Sequence, residues 1–152
     1  MPQSLIKVWM HKFRPNGSGY CLVELTAENP NNDDVSVPTG YKVKMKGKAG
    51  PHEVKFTIQT DPACPGDAAV RSEKYAMVGI YFVHDQLPAT ERNIGQDQFP
   101  RFECNIADDP PSLTVHIDRD SAKGGDEYEF MILVQRLSDG ALGIIDPEWE
   151  NE

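Results

Sequence analysis

Tyr41-Lys42-Val43-Lys44-Met45-Lys46 and Val54-Lys55-Phe56-Thr57-Ile58-Gln59 alternate apolar and polar side chains without a break. Successive side chains of an extended chain point to opposite faces, so each segment reads as a strand with one face in a core and the other in water. The intervening Gly47-Lys48-Ala49-Gly50-Pro51 is turn chemistry. It predicts a hairpin with Tyr41, Val43, Met45, Val54, Phe56 and Ile58 on its inner face.

The same pattern extends in both directions. Leu5 to Phe13 and Tyr20 to Thr26 are rich in β-branched and aromatic residues, and Arg14-Pro15-Asn16-Gly17-Ser18-Gly19 between them predicts a second hairpin. Ala27 to Asp34 reads as an exposed polar loop, and Asp67 opens one or two helical turns. Tyr75 to Val83 and Tyr128 to Leu137 are apolar on both faces, which predicts two central strands covered on both sides. Gln86 to Phe99, punctuated by Pro88 and Gly95, reads as a long surface loop.

Arg101-Phe102-Glu103-Cys104-Asn105-Ile106 and Leu113-Thr114-Val115-His116-Ile117-Asp118 flank Asp108-Asp109-Pro110-Pro111 and predict an antiparallel pair. Phe102, Cys104 and Ile106 are expected to share the core face with Leu113, Val115 and Ile117. Glu103 then lies opposite His116, and Arg101 opposite Asp118; a slip of two residues keeps the faces and changes the partners. Ser138-Asp139-Gly140 turns the chain into a last short strand, Ala141 to Ile145. About eight strands, turns every 8–12 residues and at most one or two short helical turns describe an all-β, antiparallel β-sandwich, immunoglobulin-like or related, formed as one domain over residues 1–152.

Fifteen Lys and Arg against 24 Asp and Glu leave a net charge of −9. That sign repels phosphate backbones and anionic lipid, so neither nucleic acid nor a membrane is expected as a partner. Lys42, Lys44, Lys46 and Lys48 form the densest basic patch, but with Tyr41 its one aromatic it reads as a solvated strand face. No apolar run approaches the roughly 18 residues of a membrane span, and Met1 to Lys7 lacks the pattern of a signal peptide. Cys21, Cys64 and Cys104 are odd in number and far apart, which argues against a disulfide framework and for a reducing, cytoplasmic setting. Asn16-Gly17-Ser18 fits a glycosylation acceptor, and without a secretory signal it reads as the hairpin turn.

No catalytic, cofactor-binding or metal-ligating set is expected. His11, His52, His84 and His116 lie on four separate segments, zinc-type paired spacings are missing, and no Gly-x-Ser-x-Gly elbow occurs. Cys104 reads as a small core hydrophobe and Cys64, between Pro62 and Pro65, as an exposed thiol. Asp33-Asp34 and Asp108-Asp109 read as solubilising turn residues. His84 and Asp85, at a strand end beside the 86–99 loop, are the candidates for a ligand.

The C-terminal segment differs in kind. Asp146, Glu148, Glu150 and Glu152 alternate strictly and would stack four carboxylates along one edge, a ladder that repels itself unless a basic ladder lies beside it. Lys42, Lys44, Lys46 and Lys48 have the same period, so the tail is predicted to run beside that strand, in its own subunit or a neighbour's. Trp149 is too costly to leave in water and is expected to dock, while Asp146-Pro147 sets a turn. Residues 146–152 thus read as an acidic latch, with Asp146, Glu148, Trp149, Glu150, Lys42, Lys44 and Lys46 as its contact residues.

Asp146-Pro147-Glu148 followed by Glu150-Asn151, at the end of a small acidic β protein, resembles the DP-EP family of uncharacterised bacterial proteins. Where a Pro would close that motif this chain has Glu152. The resemblance implies a bacterial origin and a compact β fold and brings no activity with it. The expectation is therefore a non-enzymatic sandwich that forms a homo-oligomer or binds a protein partner. The alternative is a small-ligand-binding or enzymatic domain with its site in the loops at one end.

Overall fold

The computed structural model describes residues 3–15, 18–28, 35–46, 50–60, 70, 72–84, 98–122 and 124–152. Among them eleven strands run in the order β1 (Gln3–Lys12), β2 (Leu22–Ala27), β3 (Val35–Ser36), β4 (Lys42–Met45), β5 (Pro51–Gln59), β6 (Tyr75–His84), β7 (Arg101–Asn105), β8 (Ser112–Asp118), β9 (Glu127–Arg136), β10 (Leu142–Ile145) and β11 (Glu148–Asn151). A 3-10 turn, Arg119–Ser121, follows β8 and is capped by Asp118, whose side chain accepts from the Asp120 N–H.

The strands form a two-layer sandwich. One sheet has the order β2-β1-β5-β8-β7; the other is β10-β9-β11-β4-β3, with β6 paired to the far edge of β9. Most neighbours are antiparallel, but β1 runs parallel to β5 and β4 parallel to β11, so both sheets are mixed. Each strand turns its apolar row inward. Ile6, Val8 and Met10 of β1 and Val54, Phe56 and Ile58 of β5 meet Tyr128, Phe130, Ile132 and Val134 of β9 in one buried cluster. Phe56 and Phe130, with ring centroids 5.9 Å apart, carry that contact across the layers.

The β1–β2 hairpin forms as the sequence implies, with Val8 opposite Leu25. Asn16 and Gly17 at its turn, the 29–34 part of the polar loop, the helical turn from Asp67 and residues 86–97 of the long loop lie outside the described residues. Gln98 and Phe99, which close that loop, are buried instead of exposed. β9 is central, with β6 on one edge and both β10 and β11 on the other. It is covered on one face only, and Leu133 on the other is 37% exposed.

Three further expectations are corrected. β4 and β5 do not form a hairpin: β4 joins β3 and β11, while β5 joins β1 and β8 in the opposite sheet. In a β4–β5 hairpin every register that keeps the apolar faces together sets Lys42, Lys44 or Lys46 directly opposite Lys55, a like-charge pairing. Partition between the sheets puts Glu148 and Glu150 beside Lys42 and Lys44 instead. The inner face of β4 is Val43 and Met45; Tyr41 precedes the strand and is exposed.

β6 is not a central strand. Among the described residues it pairs with β9 alone, and a bulge between Met77 and Gly79 shifts its register. Tyr75 and Met77 point inward before the bulge, Ile80 and Phe82 after it. One extra residue inverts the alternation, so a strand with one buried face looks apolar on both in sequence. Tyr81, on the outer face, is about half exposed.

The β7–β8 pair forms in the register two residues away from that expected, with Arg101 opposite His116, Phe102 opposite Val115 and Cys104 opposite Leu113. Leu113, Val115 and Ile117 are buried, but all five residues of β7 are exposed, as is Ile106 beyond it. β7 ends its sheet, and its apolar row overhangs the rim of the sheet beneath instead of facing its centre.

Candidate functional site

The two flanks of the sandwich hold the candidate residues. On one, β11 lies in the plane of its sheet between β9 and β4, with Glu148 opposite Lys42 and Glu150 opposite Lys44. Lys42 Nζ lies 3.7 Å from Glu127, 3.7 Å from Glu148 and 3.6 Å from Glu150, and Lys44 Nζ lies 3.6 Å from Glu150. Partial burial works against the Lys42 charge, but the carboxylates of Glu127, Glu150 and Glu148 outweigh it and hold its pKa above the ordinary value. Lys46 is exposed one position past β4, and Lys48 lies outside the described residues. Asp146, between β10 and β11, is exposed and has no ion pair among those of the ladder; partial desolvation of its carboxyl, with Glu129 and Glu148 nearby, pushes its pKa upward.

Trp149 is fully buried. Its ring meets Phe99 edge-on at 5.3 Å and Phe130 at 6.1 Å, and its Nε1 donates to Asn151 Oδ1 at 3.1 Å. Asn151 and Gln98 exchange two amide hydrogen bonds of 2.8 Å. Phe99, held beside that pair, stacks flat on Phe82 at 3.6 Å. Backbone bonds from Glu148 to Tyr41, from Glu152 to Met45 and from Asn151 to Asp126 complete the flank. Lys42 and Lys44 with three carboxylates, and the Trp149–Asn151–Gln98 set, thus tie β4, β9 and β11 together on this flank.

On the other flank no strand, among the described residues, pairs with the outer edge of β6 or β7. β6 and β7, the terminal strands of the two sheets, stand on the same side, and a groove of about 330 Å³ runs between them. Ile80, Phe82, Phe99, Pro100, Phe102 and Val115 line it. Tyr81, 51% exposed, and Arg101 complete its lining; Phe102 is 44% exposed, and Ile106, one residue past β7, is 49% exposed. No protein-family model, curated protein or solved structure matches the chain.

On the wet face of β7, Arg101 Nη1 lies 3.1 Å from Glu103 Oε1, both side chains more than 60% exposed. His116 of β8 sits between two carboxylates, its Nδ1 3.4 Å from Glu53 and its Nε2 3.3 Å from Glu103. His11 is 3.6 Å from Glu24, and His52 is buried with its Nε2 2.8 Å from Ser4 Oγ. His11, His52 and His116 are thus each in a separate setting. His84 ends β6, and its side chain and Asp85 lie outside the described residues. Among the described residues no three His, Cys, Asp or Glu side chains converge as metal ligands do.

Cys104 is a surface thiol and not a core residue, because β7 overhangs the rim; partial desolvation raises its pKa and so weakens it as a nucleophile. Cys21 is a buried thiol against the carbonyl of Arg14, its pKa raised by burial. Cys64 lies outside the described residues. A second cavity of about 300 Å³ at the sandwich end, lined by Gln59, Thr60, Glu73, Lys74, Tyr75 and Asp109, is more polar. Among the described residues no helix is long and apolar enough to cross a membrane.

Phe102, Ile106 and Tyr81 were not singled out by sequence as surface residues. The available signal was length and punctuation. A short strand between Pro100 and a Pro-rich turn, with Arg and Glu on its wet face, has the marks of an edge strand.

Proposed function

We propose that this chain is a protein-binding module that receives an extended segment of a partner along β7. One observation carries the reading: a terminal strand exposed at all five residues, with an apolar groove beside it. Among the described residues the outer edge of β7 has no strand partner; such an edge offers a row of backbone donors and acceptors, and an incoming strand that alternates apolar and polar residues satisfies them while filling the groove. Phe102 and Val115 supply the apolar floor, and Arg101 and Glu103 the polar rim.

The opposite end of the same sheet supports the contrast. β2 is also terminal, yet its Leu25 N–H is taken by the Gly40 carbonyl at 2.7 Å. The cysteine pattern fits a reducing cytoplasm as the place of action, and the tail motif fits membership of the DP-EP family; both belong to the proposal. A displayed library of random nonapeptides, panned against the protein, is expected to return alternating apolar sequences that fail to bind a Phe102→Lys/Ile106→Lys variant. Binders indifferent to that variant, or none at all, would overturn the reading.

A further inference from the structure

We infer that the strand received by β7 is β7 of a second copy, paired antiparallel about a two-fold axis through Phe102. The inference rests on the reading of β7 as a docking edge and adds the identity of its occupant. Arg101 and Glu103 flank Phe102 on the same face of the strand and are both exposed. In an antiparallel pair centred on Phe102, Arg101 of each copy stands directly opposite Glu103 of the other, and the two Phe102 rings meet on the apolar face. A two-fold contact must be self-complementary, and this three-residue pattern is.

Neighbouring registers lack that property. Moving the axis to Glu103 sets the two Glu103 carboxylates against each other, and moving it to Cys104 leaves Arg101 with no opposing acid. In the isolated chain Arg101 and Glu103 bridge each other within the strand. Pairing about Phe102 keeps those contacts and adds two across the axis, giving a ring of alternating charge. The two five-stranded sheets would then run on as one of ten. Centred on Phe102, only Arg101 to Glu103 of each β7 face one another, with Cys104 opposite Pro100, so the interface is small, the dimer is weak and its formation depends on concentration.

Sedimentation of the full chain from about 10 μM to about 1 mM tests this. The wild type is expected to pass from monomer to dimer over that range. R101E and E103R, each confirmed folded by its thermal transition, are expected to weaken dimerisation at least about tenfold, since each sets like charges opposite one another twice. An equimolar mixture of the two variants restores Arg–Glu pairing on both sides and is expected to dimerise, as is the double swap R101E/E103R. A monomeric wild type, single variants that dimerise unchanged, or a mixture that stays monomeric overturns the inference. If the wild type is monomeric while library peptides still require Phe102, the docking edge stands and the second copy is not its occupant. If neither binds, both readings fall.

Discussion

β4 and β7 are made from the same material, short strands alternating apolar and charged residues, yet among the described residues β4 is paired on both edges and β7 on one. The difference lies in what each strand finds beside it. β4 receives β11, whose carboxylates match its lysines and whose Trp149 fills the layer beneath. β7 has β8 on one edge and, among the described residues, no strand on the other. A row of apolar side chains is a core face only when a second layer reaches over it. Phe102 fails that condition by position and not by chemistry.

The sharpest way to test the contrast is to remove one aromatic from each flank. Trp149→Ala is expected to lower stability by about 3–5 kcal/mol, the cost of emptying a fully buried site. Phe102→Ala should cost at most about 1 kcal/mol, because nearly half of that ring is already in water. Urea unfolding of the two variants decides this, and equal losses would refute the contrast between the two flanks. Asn151→Ala should fall between them, at about 2–3 kcal/mol, because it strands the buried Gln98 amide and the Trp149 N–H together.

A smaller loss is expected from Lys42→Met. The side chain is 23% exposed and faces three carboxylates, so its removal leaves Glu127, Glu148 and Glu150 without the cation they share. The cost should be about 1 kcal/mol, shrinking as salt is added. The same substitution at Lys12, on the surface end of β1, serves as the reference. If the two variants unfold alike at every salt concentration, the ladder contributes nothing to closing the flank.

Much of this contrast was legible in the sequence, and unevenly so. Alternation identified which residues of β4, β5 and β8 face inward, because period two is a property of the strand itself. It could not name strand partners: β4 and β5 are separated by a perfect turn signal and still part company. The match of Lys42 and Lys44 with Glu148 and Glu150 was readable because charge complementarity acts between strands distant in sequence. The bulge in β6 was not, since one extra residue after Met77 counterfeits a doubly buried strand. Nor was the need for Gly143. A Cβ there would come within 2.8 Å of the Arg14 carbonyl and 2.7 Å of Cys21 Sγ, a close approach between segments about 125 residues apart. The exposed face of β7 was illegible for the same reason: the reach of the opposite sheet is not written in the strand it covers.

The smallest effects concern the two aspartates that bracket β10, the strand that leads into β11. Asp139 accepts from Arg136 at 2.9 and 2.6 Å and from the Ala141 N–H, which hold its pKa down to about 2. Its folded pKa lies below its unfolded value near 3.8, so its contribution is whole above about pH 4 and is lost as the pH falls toward 2. Asp146 behaves oppositely. Burial, Glu129 and Glu148 raise its pKa, so its ionised form opposes folding at neutral pH, and that penalty disappears once the pH drops below the unfolded value. Asp146→Asn should therefore stabilise the protein slightly at pH 7 and not at pH 3, while Asp139→Asn should destabilise it at pH 7 and not at pH 2. Thermal transitions across that range distinguish the two. If Asp146→Asn lowers stability at pH 7, its carboxylate serves the turn at Pro147, and the acidic crowding around β11 is not a cost the latch must overcome.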